Sequence, residues 1–288
     1  MVRVRVVVTA LVLAAALTAC SVQTPPSVVP TPETTSAAQL AAAVPAEIRA
    51  RGTLVIGTDA TYAPNEFRDK GGVITGFDVE LFDAIASRLN LKTQWQNSSF
   101  DGIIPGVRQG RFQVAVSSVS VTLERAKVVE MVPYYVAGTQ WAARSGNKIG
   151  PANVCGRKVA VQADTIQVDD LAVRSAACQH AGQSAIEVQQ YGGQGEATEA
   201  VLGGQADAML ADSPVTAYAV KQSDGRLVLS SAVYDSAYYG IVLPKGQADF
   251  AKLIGDTIDL LIADGTYAQI AAKWGLDPDG FRGTTQKA

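Results

Sequence analysis

Histidine is almost missing from this chain of 288 residues: His180 is the only one. That excludes a histidine-built metal centre and leaves one imidazole for any nucleophilic triad. Cysteine occurs three times, without the further thiolates or nearby imidazole that a zinc site needs. Aromatic residues make only 7% of the chain and charged residues 18%, with a net charge of −3. The basic residues are scattered rather than striped, so no electrostatic footprint points to nucleic acid. What is plentiful is apolar: at 48% the chain is not disordered and is long enough for one large or two compact units.

The first twenty residues read as an address. Arg3 and Arg5 precede an apolar run over 6–17, too short for a comfortable membrane span but suited to a secretory signal. Leu17-Thr18-Ala19-Cys20 resembles a bacterial lipobox, which makes residues 1–19 a signal peptide and Cys20 a lipidated N-terminus. Residues 20–44 hold Pro25, Pro26, Pro30 and Pro32 among Ser, Thr and Ala, the composition of an extended tether. With Cys20 spoken for, Cys155 and Cys178 remain in a compartment that permits disulfides; they form a bridge or stay as two buried thiols, and a bridge is expected.

From Pro45 onward, short apolar runs alternate with helical periodicity, which argues α/β with mostly parallel strands. Strands are expected at 53–58, 112–117, 158–161, 185–191, 206–211 and 226–230. Helices are expected after Asp78, as an N-cap, and over 250–262 and 267–274. Three strands run into polar residues: Asp59, Ser117-Ser118-Val119-Ser120 and Asp212. Ligands of open α/β sheets bind at such strand ends. Thr122 reads as the cap of a short helix carrying Arg125, whose planar fork binds a carboxylate, while Asp59 and Asp212 could hold an ammonium. Together these residues describe a receptor for an amino-acid zwitterion. His180 reads as exposed and idle, Trp95, Trp141 and Trp274 as packing residues. The glycine-rich stretch 191–195 lacks the Lys-Ser/Thr of a phosphate loop.

The strings IGTDATYAP (56–64), GFDVE (76–80), FDGIIP (100–105), SSVSVTLER (117–125), Ala211-Asp212 and ADGTY (263–267) together resemble the polar amino-acid branch of the ABC-transporter solute-binding proteins, family 3, over roughly 52–274. The resemblance implies the type II periplasmic-binding-protein fold, two α/β lobes (45–140 with 238–288, and 141–237) hinged by two crossing strands. It implies that Tyr62 and Phe100 form aromatic walls, that Ser117, Ser118 and Ser120 offer polar groups, and that Arg125 grips the α-carboxylate. Asp212 would hold the α-ammonium, Gln162 and Thr165 would reach in from the second lobe, and Asp59 would line the side-chain end. Two departures, Asn65 where the family often has Phe and Ala163-Asp164-Thr165 where it has Gly-Thr, touch that end, and specificity leans to an uncharged or acidic side chain. The function implied is a monomeric, lipid-anchored, extracytoplasmic receptor delivering an amino acid to an ABC permease, with no cofactor, no catalysis and no nucleic acid. The alternatives are a sensory domain presenting its ligand to a signalling partner and a dehydratase on the same scaffold.

Overall fold

The computed structural model describes residues 36–147 and 149–284. The signal segment, Cys20 and the proline-rich stretch lie outside the described residues. The segment 36–44, expected to belong to the tether, is ordered. In α1 (Ala37–Ala42) the Ser36 hydroxyl accepts from the Gln39 N–H at 3.3 Å and the Ser36 N–H donates to Gln39 Oε1 at 2.7 Å, a capping box. Leu40, Val44 and Ile48, each four residues apart, then bury in the main core. Alanine-rich and preceded by prolines, this piece hides its apolar stripe in a composition that reads as linker. α2 (Ala46–Arg51) ends at Gly52 in the left-handed conformation.

The chain continues through β1 (Thr53–Thr58), a small sheet of β2 (Thr61–Tyr62), β3 (Glu66–Arg68) and β4 (Ile74–Thr75), then α3 (Phe77–Arg88) and β5 (Lys92–Asn97). α4 (Ile103–Arg108), β6 (Val114–Ala115) and α5 (Leu123–Val128) lead into the long β7 (Glu130–Arg144). Next come β8 (Lys158–Gln162), α6 (Ile166–His180), β9 (Glu187–Tyr191), α7 (Gln194–Leu202), β10 (Ala208–Asp212), α8 (Ser213–Gln222) and β11 (Leu227–Leu229). β12 (Tyr234–Leu243), α9 (Ala248–Ala263) and α10 (Thr266–Trp274) complete the fold.

The large sheet runs β5-β1-β6-β12-β7-β10-β8-β9, with β11 also paired to β7. Its ends are parallel, β1 with β5 and β6, and β8 with β9 and β10. Its middle is antiparallel, where β12 and β7 pair with each other and with β6 and β10 respectively. The expected mostly parallel sheet is therefore mixed. β7 and β12 escape a sequence reading because β7 is buried almost continuously along 15 residues and interrupted by Pro133 and Gly138. Such a strand lacks the alternation that marks a half-exposed one.

Burial divides along the same line. Ile56, Phe77, Phe82, Ile85, Ile254 and Ile258 belong to one apolar cluster, and Val159, Val161, Leu171 and Leu210 to another. Each such side chain contributes about 1.5–3 kcal/mol when fully buried. The Cys155–Cys178 bridge is formed, tying the segment before β8 to the end of α6. Two local expectations change. The strand expected over 112–117 is paired only at Val114–Ala115, which frees Ser117 and Ser118 to leave the sheet. Gly76, not Asp78, caps α3; a Cβ on Gly76 would lie 2.1 Å from the Asn65 carbonyl oxygen. The Phe77 and Asp78 N–H groups donate to the carbonyls of Pro64 and Asn65 instead, and Asp78 turns its carboxylate inward beneath the serines.

Candidate functional site

The polar ends of β1, β6, β8 and β10 converge. Asp59, just past β1, is 2% exposed; its N–H donates to Ser117 Oγ at 2.9 Å, and its Oδ2 accepts from Gln162 Nε2 at 2.6 Å. Thr165 Oγ1 donates to the Gln162 carbonyl at 2.8 Å, fixing the turn that follows β8. Ser118 sits at φ 47°, a conformation that L-residues with side chains rarely adopt. It is held there by its N–H to Asp78 Oδ2 at 2.8 Å and by Asn65 Nδ2, which donates to its Oγ at 2.8 Å. Glu66 is fully buried beside Ser117 and Ser118, whose hydroxyls reach its two oxygens at 3.3 and 3.2 Å.

Arg125 brings the cation of the site. Thr122 caps its helix, accepting from the Arg125 N–H at 3.2 Å. The guanidinium lies 5.5 Å from the Phe100 ring centre and donates to the carbonyls of Ser120 at 3.0 Å and Asp164 at 3.2 Å. Asp212, at the end of β10, is satisfied by three donors. Gln167 Nε2 reaches Oδ1 at 2.7 Å, and the Tyr62 and Tyr239 hydroxyls reach Oδ2 at 2.9 and 2.8 Å. Burial pushes all three tyrosine hydroxyls of this region, Tyr62, Tyr134 and Tyr239, well above 10, so they stay protonated as donors.

Nine of the ten residues singled out from the sequence line one narrow polar cavity: Asp59, Tyr62, Phe100, Ser118, Ser120, Arg125, Gln162, Thr165 and Asp212. Ser117 does not line it but braces Asp59 from behind. Glu66, Ile166 and Gln167 complete the lining and were missed. Gln167 and Ile166 open α6 one residue beyond the loop that was considered. Glu66 follows Pro64-Asn65 in a three-residue strand, and nothing in its local pattern separates it from a surface acid.

Burial raises the Asp59 carboxyl to about 6, against the hydrogen bonds of Thr61 and Gln162 that favour its charge. Glu66 is driven well above the ordinary range by burial and then by the neighbouring Asp78 charge. Burial also raises Asp212, opposed by Tyr239, Tyr62, Gln167 and then Arg125, and lowers Arg125, opposed first by Asp212. The cavity thus joins one cation and one donor-saturated carboxylate to two further acidic groups, Asp59 and Glu66, whose charge is poorly solvated. Among the described residues no group of His, Cys, Asp and Glu could hold a metal ion, and no helix is long and apolar enough to cross a membrane. His180, the last residue of α6, is exposed, and Trp141 is buried with its indole N–H on Tyr234.

Two crossing strands joining parallel half-sheets over an interior polar cavity define a two-lobed binding protein of the type II periplasmic class. The chain belongs to the bacterial extracellular solute-binding proteins, family 3, whose model matches residues 54–277. It is 33% identical over 242 residues to the arginine-binding protein ArgT of Corynebacterium glutamicum, covering 83% of this chain and 79% of that one. Among solved structures it is similar to an ancestral arginine-binding protein bound to arginine (31% identity, TM-score 0.72, 78% of this chain and 99% of that one). It is equally similar to the ancestral amino acid-binding protein AncCDT-1, a precursor of cyclohexadienyl dehydratase (32% identity, TM-score 0.72, 79% and 97%). Its relatives are extracytoplasmic amino-acid-binding proteins of ABC transporters.

Proposed function

We propose that this chain is a lipid-anchored extracytoplasmic receptor that closes two lobes, residues 45–140 with 238–288 and residues 141–237, on a cationic α-amino acid of the arginine type and delivers it to an ABC permease. The observation that carries this reading is the presence of Asp59 and Glu66 in the same cavity as Arg125 and Asp212. Arg125 takes the α-carboxylate bidentately, and Asp212, preorganised by Tyr62, Tyr239 and Gln167, takes the α-ammonium. Asp59 and Glu66 are then left for the side chain, and a guanidinium or ammonium there would offset the cost of burying the Asp59 charge. This reverses the lean toward an uncharged or acidic side chain. The names of the arginine-binding relatives agree with it. Phe100 and Tyr62 supply flat walls for an aliphatic stem, and the Cys20 lipid keeps the receptor, a monomer, at the membrane.

One observation favours a second reading. Glu66 is a buried carboxyl lining the cavity whose ionisation burial disfavours, the kind of group a dehydratase uses as a general acid, and one structural neighbour is a precursor of such an enzyme. Glu66 is hydrogen-bonded to Asp78, however, and a cyclic dicarboxylate would leave Asp212 facing like charge. Binding without catalysis is therefore the stronger account. Arg125→Ala and Asp212→Asn test it; the asparagine keeps an acceptor for Tyr62 and Tyr239. Each should weaken arginine binding by about thirty- to several-thousand-fold, the cost of leaving a buried partner unpaired. Unchanged affinity in Asp212→Asn would place the ammonium elsewhere, and turnover of a cyclic dicarboxylate would replace this reading with the enzymatic one.

A further inference from the structure

The glycine-rich stretch after β9 is not explained by its own backbone. Gly193 is the N-cap of α7 with φ −138° and ψ 152°, an extended geometry open to any residue. Ser, Thr, Asn or Asp would cap a helix better. What excludes a side chain is Thr61 in β2, from the other half of the molecule. A Cβ on Gly193 would stand 2.9 Å from Thr61 Oγ1, 3.0 Å from its Cβ and 3.1 Å from its Cγ2. Gly193 is buried, whereas its neighbours are unconstrained: a Cβ on Gly195 meets nothing within 4 Å, and one on Gly192 meets only a Glu196 oxygen at 3.8 Å. Thr61 lies between Asp59, which pairs with Gln162 across the cavity, and Tyr62, which pairs with Asp212. The Thr61–Gly193 contact therefore sits between the two bonds that cross the cavity.

We infer that Gly193 is a closure-positioning residue: it lets β2 dock on the start of α7, and any Cβ there holds the cleft ajar without touching ligand. This rests on the amino-acid-binding reading of the same cleft. An obstruction between β2 and α7, where the two cross-cavity bonds form, acts on the bound state, so it should raise the dissociation rate of arginine and leave the association rate near that of the natural protein. Overpacking of this size predicts a loss of affinity on the order of ten- to a hundred-fold.

The test is calorimetric and stopped-flow titration of L-arginine into the purified protein and its Gly193→Ala, Gly193→Ser and Gly195→Ala variants. Gly193→Ala and Gly193→Ser should lose affinity alike, although serine is the better cap, and Gly195→Ala should bind as the natural protein does. In a Thr61→Gly background, where the clashing atoms are gone, adding Gly193→Ala should cost less than about threefold. Solution scattering of Gly193→Ala with saturating arginine should show less compaction than the natural protein. Affinity within twofold of the natural protein in Gly193→Ala, rescue by serine, or a loss that persists beside Thr61→Gly would each overturn the inference. Failure of the natural protein itself to bind arginine would instead count against the ligand reading, so the two failures are distinguishable.

Discussion

Replacing Asp59 by asparagine should make the free protein more stable and a worse receptor for arginine. The Asp59 carboxyl is 2% exposed and burial raises it from 3.8 to about 6. The folded state therefore holds a proton on Asp59 more tightly than the unfolded chain does between those two values. Stability falls as pH rises through that window, at about 1.4 kcal/mol per pH unit, and above it the ionised group costs at most about 3 kcal/mol. Asp59→Asn would remove this cost while the new amide carbonyl still accepts from Gln162. At pH 7 thermal unfolding should move up by roughly 5–10 °C, and the difference should vanish below about pH 3, where Asp59 is neutral in both states. Arginine affinity should move oppositely. In the natural protein it should weaken as pH falls through about 6, because only ionised Asp59 attracts the guanidinium. In Asp59→Asn it should be lower by about thirty-fold or more at pH 7 and nearly flat between pH 5 and 8. Differential scanning calorimetry and isothermal titration across that range measure both. A variant that keeps its arginine affinity and its pH dependence would show that Asp59 does not face the ligand side chain.

Removing the Cys155–Cys178 bridge by a double serine substitution should cost roughly 3 kcal/mol in the chain-entropy model for a loop of this length, read as a lower urea midpoint with arginine affinity barely changed. Leu40→Asp should destabilise the molecule by about 2–5 kcal/mol, since α1 buries that side chain in the main core; an effect below about 0.5 kcal/mol would make the segment a passive leader. Cys20→Ser should release the protein from the membrane fraction without changing its unfolding curve, and retention at the membrane would dismiss the lipobox reading.

The strand-end polar groups were legible because α/β sheets place function where strands stop, and Asp59, Ser118 and Asp212 each follow an apolar run. Arg125 was legible through its Thr122 cap. Glu66 was not, since its burial depends on Gly76 allowing the chain to fold back so that Pro64 and Asn65 meet the start of α3. Missing it left one acidic group of the pocket out of the sequence reading. The crossing strands were hidden for a different reason: β7 is covered on both faces, so its sequence carries no period to read. Ser117 had the opposite fate: it was expected to end a strand that pairs only at Val114–Ala115, and the left-handed Ser118 next to it turns the chain out of the sheet.

The proposed function requires this cavity to recognise both ends of an α-amino acid and a positive charge on its side chain. Calorimetric titration of the purified chain with the twenty amino acids, and with agmatine as arginine lacking its carboxylate, tests it most directly. L-arginine, and more weakly L-lysine, should give saturable one-to-one binding, while glutamate and aspartate should give none. Agmatine should bind at least about thirty-fold more weakly than arginine, because Arg125 loses its partner. Tight binding of glutamate, or of agmatine as well as arginine, would contradict the account.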